Sequence, residues 1–318
     1  MRERKGISMV SRLLPPSLKP GARVGLIAPS SPVYEEENRQ KAVALLEDMG
    51  FAVTVGESCN ARRGYLSGTD EMRADDINRM FSDPGIGGIV CLRGGYGAAR
   101  LLPMLRYDMI RKNPKPFVGY SDITALHCAF QKMCGLVTFH GPMPGFPWPE
   151  SYKAGWLKAL CGTEPLSSLH NPDGTPFVAF REGEARGVLT GGNLSVFVDL
   201  LGTPYMPSLK GKLLLLEDVG EKPYRVDAML THLRNAAAFD DCAGIILGDY
   251  TDCDPEPGKP SLALAEIFAD LLPADKPVLM NVHAGHGPDK LTLPMNIPYR
   301  ISGSNLTALS RGAAPGPR

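Results

Sequence analysis

The sequence carries no surplus of charge: 34 Lys and Arg face 34 Asp and Glu over 318 residues. Without a basic excess there is no long-range field to gather phosphate backbones, so nucleic acid is a poor partner. No stretch approaches the roughly 18–20 apolar residues of a membrane span, so no membrane partner is expected. The seven cysteines form no CxxC pair, and an odd number cannot all be paired within the chain. A disulfide framework and a zinc site are therefore disfavoured, and a reducing cytoplasm fits best. Cys91, Cys128 and Cys242 lie inside apolar runs, where a free thiol behaves as a small hydrophobe. The basic N-terminus, MRERKGISMVSRLLPPSLKPG, lacks the apolar core of a signal peptide, because Arg12 and two prolines interrupt it. It reads as a frayed lead-in.

What is present is ordinary for a globular protein, with 43% hydrophobic and 21% charged residues, which excludes a disordered chain. The 35 Gly and 29 Pro follow no short period, so neither collagen nor low complexity is indicated. Single cores stop growing near roughly 250–300 residues, so two domains are expected. Short apolar runs alternate with amphipathic helical patterns in the first half, the signature of a βαβ sheet. Strands are predicted at VGLIAP (24–29), FAVTV (51–55), GIGGIVCL (85–92), PFVGY (116–120) and LVTFHG (136–141). Helices are predicted at 37–50, 70–81 with Thr69 as N-cap, 97–105 and 122–134. The second half offers strands near 186–190, 212–217, 243–248, 277–280 and 297–302, with helices near 193–201, 223–236 and 261–271. The expected division is an N-terminal α/β domain over 20–145, a linker over 146–183 with some helix near 153–161, and a C-terminal α/β domain over 184–310.

Chemistry is concentrated at strand ends. Ser121 stands alone between the strand PFVGY and the helix DITALHCAF. A Ser on such a turn has its hydroxyl thrust outward, and the Asp122 amide opening the helix can meet an oxyanion. From this window alone a plain helix cap is the favoured meaning. RGGYG (93–97) ends the preceding strand, where ligands of open α/β sheets gather. Its double glycine offers unhindered amides, with Gly95 as a second oxyanion donor, or is an ordinary turn. It matches neither the phosphate loop GxxxxGK[ST] nor a dinucleotide fingerprint. KLLLLED brings Glu217 and Asp218 to a strand rim, where a carboxylate can fix an imidazole tautomer, although a bare Glu-Asp pair more often marks a solvated loop. His283 and His286 stand in the glycine loop NVHAGHG, and their spacing without a third ligand makes zinc improbable. His127, His140, His170 and His232 read as locally satisfied histidines. Tyr96, Trp148 and Trp156 can line a pocket or belong to a plain linker. Taken together, Ser121, Glu217 and His286 give the order Ser…Glu…His, each just beyond a strand, as in a serine hydrolase.

At this point the sequence resembles the LD-carboxypeptidase family of serine peptidases, which also includes the microcin C immunity carboxypeptidases. The matching segments are GLIAPSSP, RGGYGAARLLPMLRYD, NPKPFVGYSDITAL, GGNLSVFVDLLGTPY, LLLLEDVGEKPYRVDAMLTHL and GHG, in order from about 20 to 305. The resemblance implies an α/β fold, with a flavodoxin-like or class I amidotransferase-like N-terminal domain and a smaller swivelling β/α C-terminal domain. It maps the catalytic serine to Ser121, the glutamate to Glu217 and the histidine to His286, with the oxyanion hole at the Gly95 and Asp122 amides. RGGYG looks like the peptidoglycan-recycling branch, whose members release the terminal D-Ala of murein tetrapeptides in the cytoplasm, without metal or other cofactor. The immunity branch commonly lacks this Arg and Tyr. A homodimer is also implied. An exopeptidase must hold a terminal carboxylate, and Arg93 is a candidate beside Gly94 and Tyr96, or else a structural salt bridge. Asn193 is a further candidate for the cleft. Two other functions remain open: a carboxypeptidase for peptidyl-nucleotide or acyl-amino-acid conjugates, and a noncatalytic peptide-binding module. A cysteine hydrolase is disfavoured, because the turn carries Ser.

Overall fold

A computed structural model describes residues 11–146, 148–162 and 164–315. The apolar runs of the first half become five short parallel strands: β1 (Arg23–Ile27), β2 (Ala52–Val55), β3 (Gly88–Cys91), β4 (Phe117–Gly119) and β5 (Phe139–His140). Their spatial order is β5-β4-β3-β1-β2, the flavodoxin-like order, which reverses between β1 and β3. Helices α1 (Glu36–Asp48), α2 (Asp70–Ser82), α3 (Tyr107–Lys112) and α4 (Thr124–Cys134) make the crossovers. Thr69 caps α2, accepting the Met72 amide at 3.3 Å, as its position before the helical pattern predicts. α4 is almost wholly buried because it packs between the two halves of the molecule.

α5 (Glu150–Cys161) follows, and then the second sheet. Its strands are β6 (Val178–Arg181), β7 (Glu184–Asn193), β8 (Lys212–Val219), β9 (Gly244–Thr251), β10 (Val278–Met280), β12 (Pro298–Ser302) and β13 (Asn305–Ala308), in the order β13-β12-β7-β8-β9-β10-β6. β7 to β10 run parallel, while β6 and the β12–β13 hairpin add antiparallel edges. Helices α6 (Leu194–Asp199), α7 (Pro223–Asn235), α8 (Ala238–Asp241) and α9 (Leu264–Leu271) lie between them. One strand crosses back: β11 (Leu293–Pro294) pairs antiparallel with β5 and becomes an edge of the first sheet. Sequence patterning reads that stretch as loop, because two residues carry no period and proline is tolerated only at an edge.

The seam between the halves is polar as well as packed. Thr124 Oγ1 in α4 accepts the Asn193 amide at 2.9 Å. Gln131 accepts from Thr190 Oγ1 at 2.7 Å and donates to Asn296 Oδ1 at 3.1 Å, and Asn296 donates to the Gly135 carbonyl at 2.8 Å. One apolar core runs through both halves, joining Leu126 and Phe130 to Phe197, Leu214 and Leu216. The N-terminal lead-in is not frayed over its described part. Leu13 donates to the Gly135 carbonyl, and Leu18 is buried with its amide on Leu160. Residues 1–10 of that lead-in, and positions 147 and 163 of the predicted linker, lie outside the described residues.

Candidate active site

The reversal of strand order between β1 and β3 opens a crevice at their carboxyl ends, the place where open α/β sheets bind ligands. Three loops meet there. After β1, Ser30 Oγ donates to Asp122 Oδ2 at 2.5 Å, and Ser31 Oγ accepts the Tyr96 amide at 3.1 Å. After β3, Gly94 packs so closely on Ser121 that an added Cβ would stand 2.9 Å from the serine Cβ. Gly95 has φ 113°, and its position is closed to a side chain by Ser31. After β4, Ser121 itself has φ 66°, left-handed backbone that costs a non-glycine residue about 1 kcal/mol or more. Gly119 permits this turn, since a Cβ there would press on Ile123 at 3.0 Å. Ser121 forms no side-chain cap bond; α4 opens through a 3-10 turn, Ser121–Ile123. The helix-cap meaning therefore falls. The Asp122 carboxyl accepts the Ala98 amide at 2.8 Å as well as Ser30, so it braces all three loops. Burial raises its pKa against the pull of those hydrogen bonds.

From the second sheet, β8 delivers Glu217, fully buried at a register shift against β9. Its Oε2 lies 2.8 Å from Nδ1 of His286, and its Oε1 has no partner among the described residues. A carboxylate only accepts, so Nδ1 carries the hydrogen and the lone pair is on Nε2. Burial raises the Glu217 pKa, and the His286 hydrogen bond opposes it. The glycines around His286 are required: a Cβ on Gly285 would meet Glu217 Oε2 at 2.5 Å, and one on Gly287 would meet Asp249 Oδ1 at 2.6 Å. Neighbouring Asp218 is no solvated loop residue either. It is 2% exposed and accepts from Asn193 Nδ2 and from the Ser195 and Val219 amides, each at 2.9 Å. The two halves meet at Tyr120, whose ring centroid lies 4.9 Å from that of His286 and whose next residue is Ser121. Ser121 Oγ has no hydrogen-bond partner among the described residues.

The LD-carboxypeptidase N-terminal domain family matches residues 24–141, and the LD-carboxypeptidase C-terminal domain family matches residues 186–301. The chain belongs to the LD-carboxypeptidase family. That membership makes it a hydrolase with the two-domain α/β fold. It is 35% identical over 302 residues to a probable murein peptide carboxypeptidase of Bacillus subtilis, covering 93% of each chain. It is 30% identical over 293 residues to the murein tetrapeptide carboxypeptidase of Pseudomonas aeruginosa, covering 89% of this chain and 94% of that one. Among solved structures, the microcin C7 self-immunity protein MccF superposes with a TM-score of 0.86 at 27% identity, over 95% of this chain and all of that one. The muramoyltetrapeptide carboxypeptidase of Oxalobacter formigenes gives 0.78 at 26%, over 92% and 100%.

The other sequence-predicted residues of this LD-carboxypeptidase relative fall into two groups. Arg93 stays at the crevice: it is half-buried, donates from Nη1 to the Pro32 carbonyl at 2.9 Å, and has no ion pair among the described residues. The salt-bridge alternative therefore falls. Tyr96 is 54% exposed and meets Tyr65 edge-on. Asn193, by contrast, is 4% exposed, and its side chain is taken up by Asp218 and the α6 amide of Val196. His283 turns away from His286: its amide donates to Asn171 Oδ1, and its ring faces Asp173. The ligand atoms that could gather a cation there are those of Asp173, His283 and Asp289, within 4.8 Å of one another. Trp156 is a core residue, and Trp148 donates to the Met143 carbonyl beside it.

The expectation that the remaining histidines are satisfied locally fails at His140. Both its nitrogens are buried without a partner among the described residues. His127 donates or accepts only through Nε2, at 2.9 Å from the Gly119 carbonyl. Burial holds both rings neutral, His127 at about 4 and His140 well below the usual value. Sequence reasoning also missed Asp249 and Lys290, which meet Gly287 next to His286, and the supporting hydroxyls of Ser30 and Ser31. The Ser-Ser-Pro turn after β1 was the available signal, but its meaning depends on β1 and β3 being neighbours.

Proposed function

We propose that the protein is a serine carboxypeptidase that releases the terminal D-alanine of murein tetrapeptides, cutting the L,D-peptide bond through an acyl-enzyme. The observation that carries this reading is the 2.8 Å bond between buried Glu217 and His286, on an imidazole packed against the residue preceding Ser121. Glu217 holds the ring so that Nε2 accepts the Ser121 proton as the hydroxyl attacks the scissile carbonyl. The Gly95 and Asp122 amides meet the oxyanion, each donor contributing roughly 3 kcal/mol by comparison with measured cases. His286 then protonates the departing amine, and water resolves the ester. Arg93, Gly94 and Tyr96 form the substrate-facing rim, the guanidinium receiving a peptide carboxylate. Asn193 supports the site from behind by fixing Asp218. No metal takes part in this scheme.

The relatives named for murein peptides and the RGGYG loop support the substrate. We take residues 20–145 as the nucleophile unit and 184–310 as the Glu–His unit, joined by 146–183, with β11 returning to the first sheet. All seven cysteines are unpaired, which suits a reducing cytoplasm. No helix among the described residues is long and apolar enough to cross a membrane. A homodimer is expected from the resemblance, and light scattering on the purified protein checks it. The deciding experiment is incubation with a murein tetrapeptide and weighing of the products. Loss of one alanine mass supports the reading; an untouched peptide overturns it.

A second reading is favoured by the likeness to MccF, solved with glutamyl sulfamoyl guanosine at a TM-score of 0.85. Here the same three side chains would act on peptidyl-nucleotide conjugates. Assaying both substrate types side by side separates the two, and failure of both with no labelling of Ser121 by a fluorophosphonate revives a noncatalytic peptide-binding module.

A further inference from the structure

Lys290 lies on the loop that carries His286 and is half-buried. Its Nζ stands 5.5 Å from the ring centroid of Tyr120 and 6.0 Å from that of Tyr152, and donates to the Gly287 carbonyl. No ion pair joins it to a carboxylate among the described residues. Desolvation holds its pKa below the usual lysine value, although Asp249, Glu217 and Asp289 pull the other way. A cation drawn this far from water without a bonded anion is unfavourable by itself, and an arriving anion relieves it.

The surroundings say which anion. The Tyr120 ring that Lys290 lies over also meets the His286 imidazole and precedes Ser121. The second wall, Tyr152, is tied to the same loop by its hydroxyl, which donates to the Pro288 carbonyl. An anion on Lys290 Nζ therefore shares the Tyr120 ring with the imidazole. In acyl transfer the imidazole gives its proton to the leaving amine, so the leaving residue occupies the imidazole's side while the oxyanion faces the Gly95 and Asp122 amides. A single carbon separates that amine from the carboxylate of a C-terminal residue. Arg93 stands on a different loop, the one after β3 that carries Gly94 and Gly95, with its guanidinium on the Pro32 carbonyl.

We propose that Lys290 receives the free carboxylate of the amino acid being released, and that this contact restricts the enzyme to chain ends. The assignment rests on the hydrolase reading above. The test compares a murein tetrapeptide ending in D-alanine with the same peptide ending in D-alaninamide, using wild type, Lys290→Met, Lys290→Arg and Arg93→Met. Amidation is expected to lower wild-type kcat/KM by about 30-fold or more, the usual cost of leaving a buried charge unpaired. Lys290→Met should lose a similar factor on the free acid, mainly through KM, and should barely distinguish acid from amide. Lys290→Arg should recover part of the discrimination, and Arg93→Met should keep it. A lysine that merely braces its loop would slow both peptides alike and leave the discrimination intact, which overturns the proposal. Discrimination lost in Arg93→Met but kept in Lys290→Met overturns it as well. If wild type cleaves neither peptide, the function proposed above falls, and the lysine's assignment with it.

Discussion

The turn that carries Ser121 and the loop that carries His286 are held in different ways. The serine turn is fixed by backbone geometry: a buried strand end, a left-handed residue, and glycines that admit neighbouring chain within van der Waals contact. The histidine loop is fixed by charge, with Glu217 under one glycine, Asp249 under the other, and Lys290 across its end. The first arrangement is mostly backbone packing, with one buried carboxyl, Asp122, tying the turn to Ser30 and Ala98. The second gathers groups from β8, β9 and the loop itself, all of them titratable. In the proposed mechanism the serine needs one exposed atom at a fixed angle, whereas the histidine needs a carboxylate to hold its ring, and the two supports match that difference.

The comparison breaks most sharply at the two side chains proposed to react. Ser121→Ala should lower D-alanine release on the order of 10⁵–10⁶-fold with the fold intact by circular dichroism, and His286→Ala should be nearly as damaging. Full turnover by the serine variant would remove the mechanism. Glu217→Gln should cost less, on the order of 10⁴-fold in kcat, because it disturbs tautomer and charge without removing a reacting group. Gly285→Ala drives a methyl group toward Glu217 Oε2, and the resulting shift should cost about 10²-fold in kcat. A steady-state assay showing wild-type kcat would mean that the glycine is not needed for the carboxylate's approach.

The pH contrast is smaller and concerns stability. Burial raises the pKa of Asp249, and the Gly287 amide, His283, Lys290 and His286 oppose it. A carboxyl whose folded pKa is raised binds its proton more tightly in the native state, so its contribution is fully present below the unfolded pKa and is lost as pH rises through the folded one. Asp249→Asn should therefore raise Tm at neutral pH relative to wild type and leave it unchanged in acid. A thermal melt series over pH checks this, and an equal shift at every pH would refute the burial argument. Smallest of all, His283→Ala should change turnover by no more than a few-fold, since its ring faces Asp173. The reverse ranking of His283 and His286 would transfer the role of base.

Much of this was legible in the residues. The apolar runs of the first half correspond to β1 to β5, and Thr69 announced the start of α2, because burial on both faces and capping leave local marks. Ser121 was ambiguous, since a cap and a strained turn share one sequence and differ only in φ. β6 and β11 were unreadable for a different reason: both are short antiparallel edges that exist only because β10 and β5 offer open hydrogen-bonding sides. The same holds for Ser30, Asp249 and Lys290. Their partners lie on other strands, and nothing in a single window reports which strands become neighbours. Glu217 was legible as a carboxylate at a strand rim, but its complete burial was not.

The return of β11 to the first sheet has a consequence for biosynthesis. A nascent chain that stops short of Leu293 leaves β5 as an open edge, which invites pairing with other chains. The proposed catalytic groups are likewise separated by about half of the chain, since Ser121 emerges long before His286 and Glu217 can bond. The segment that completes the first sheet follows His286 by only a few residues, so closing that sheet and pairing His286 with Glu217 both fall late in synthesis.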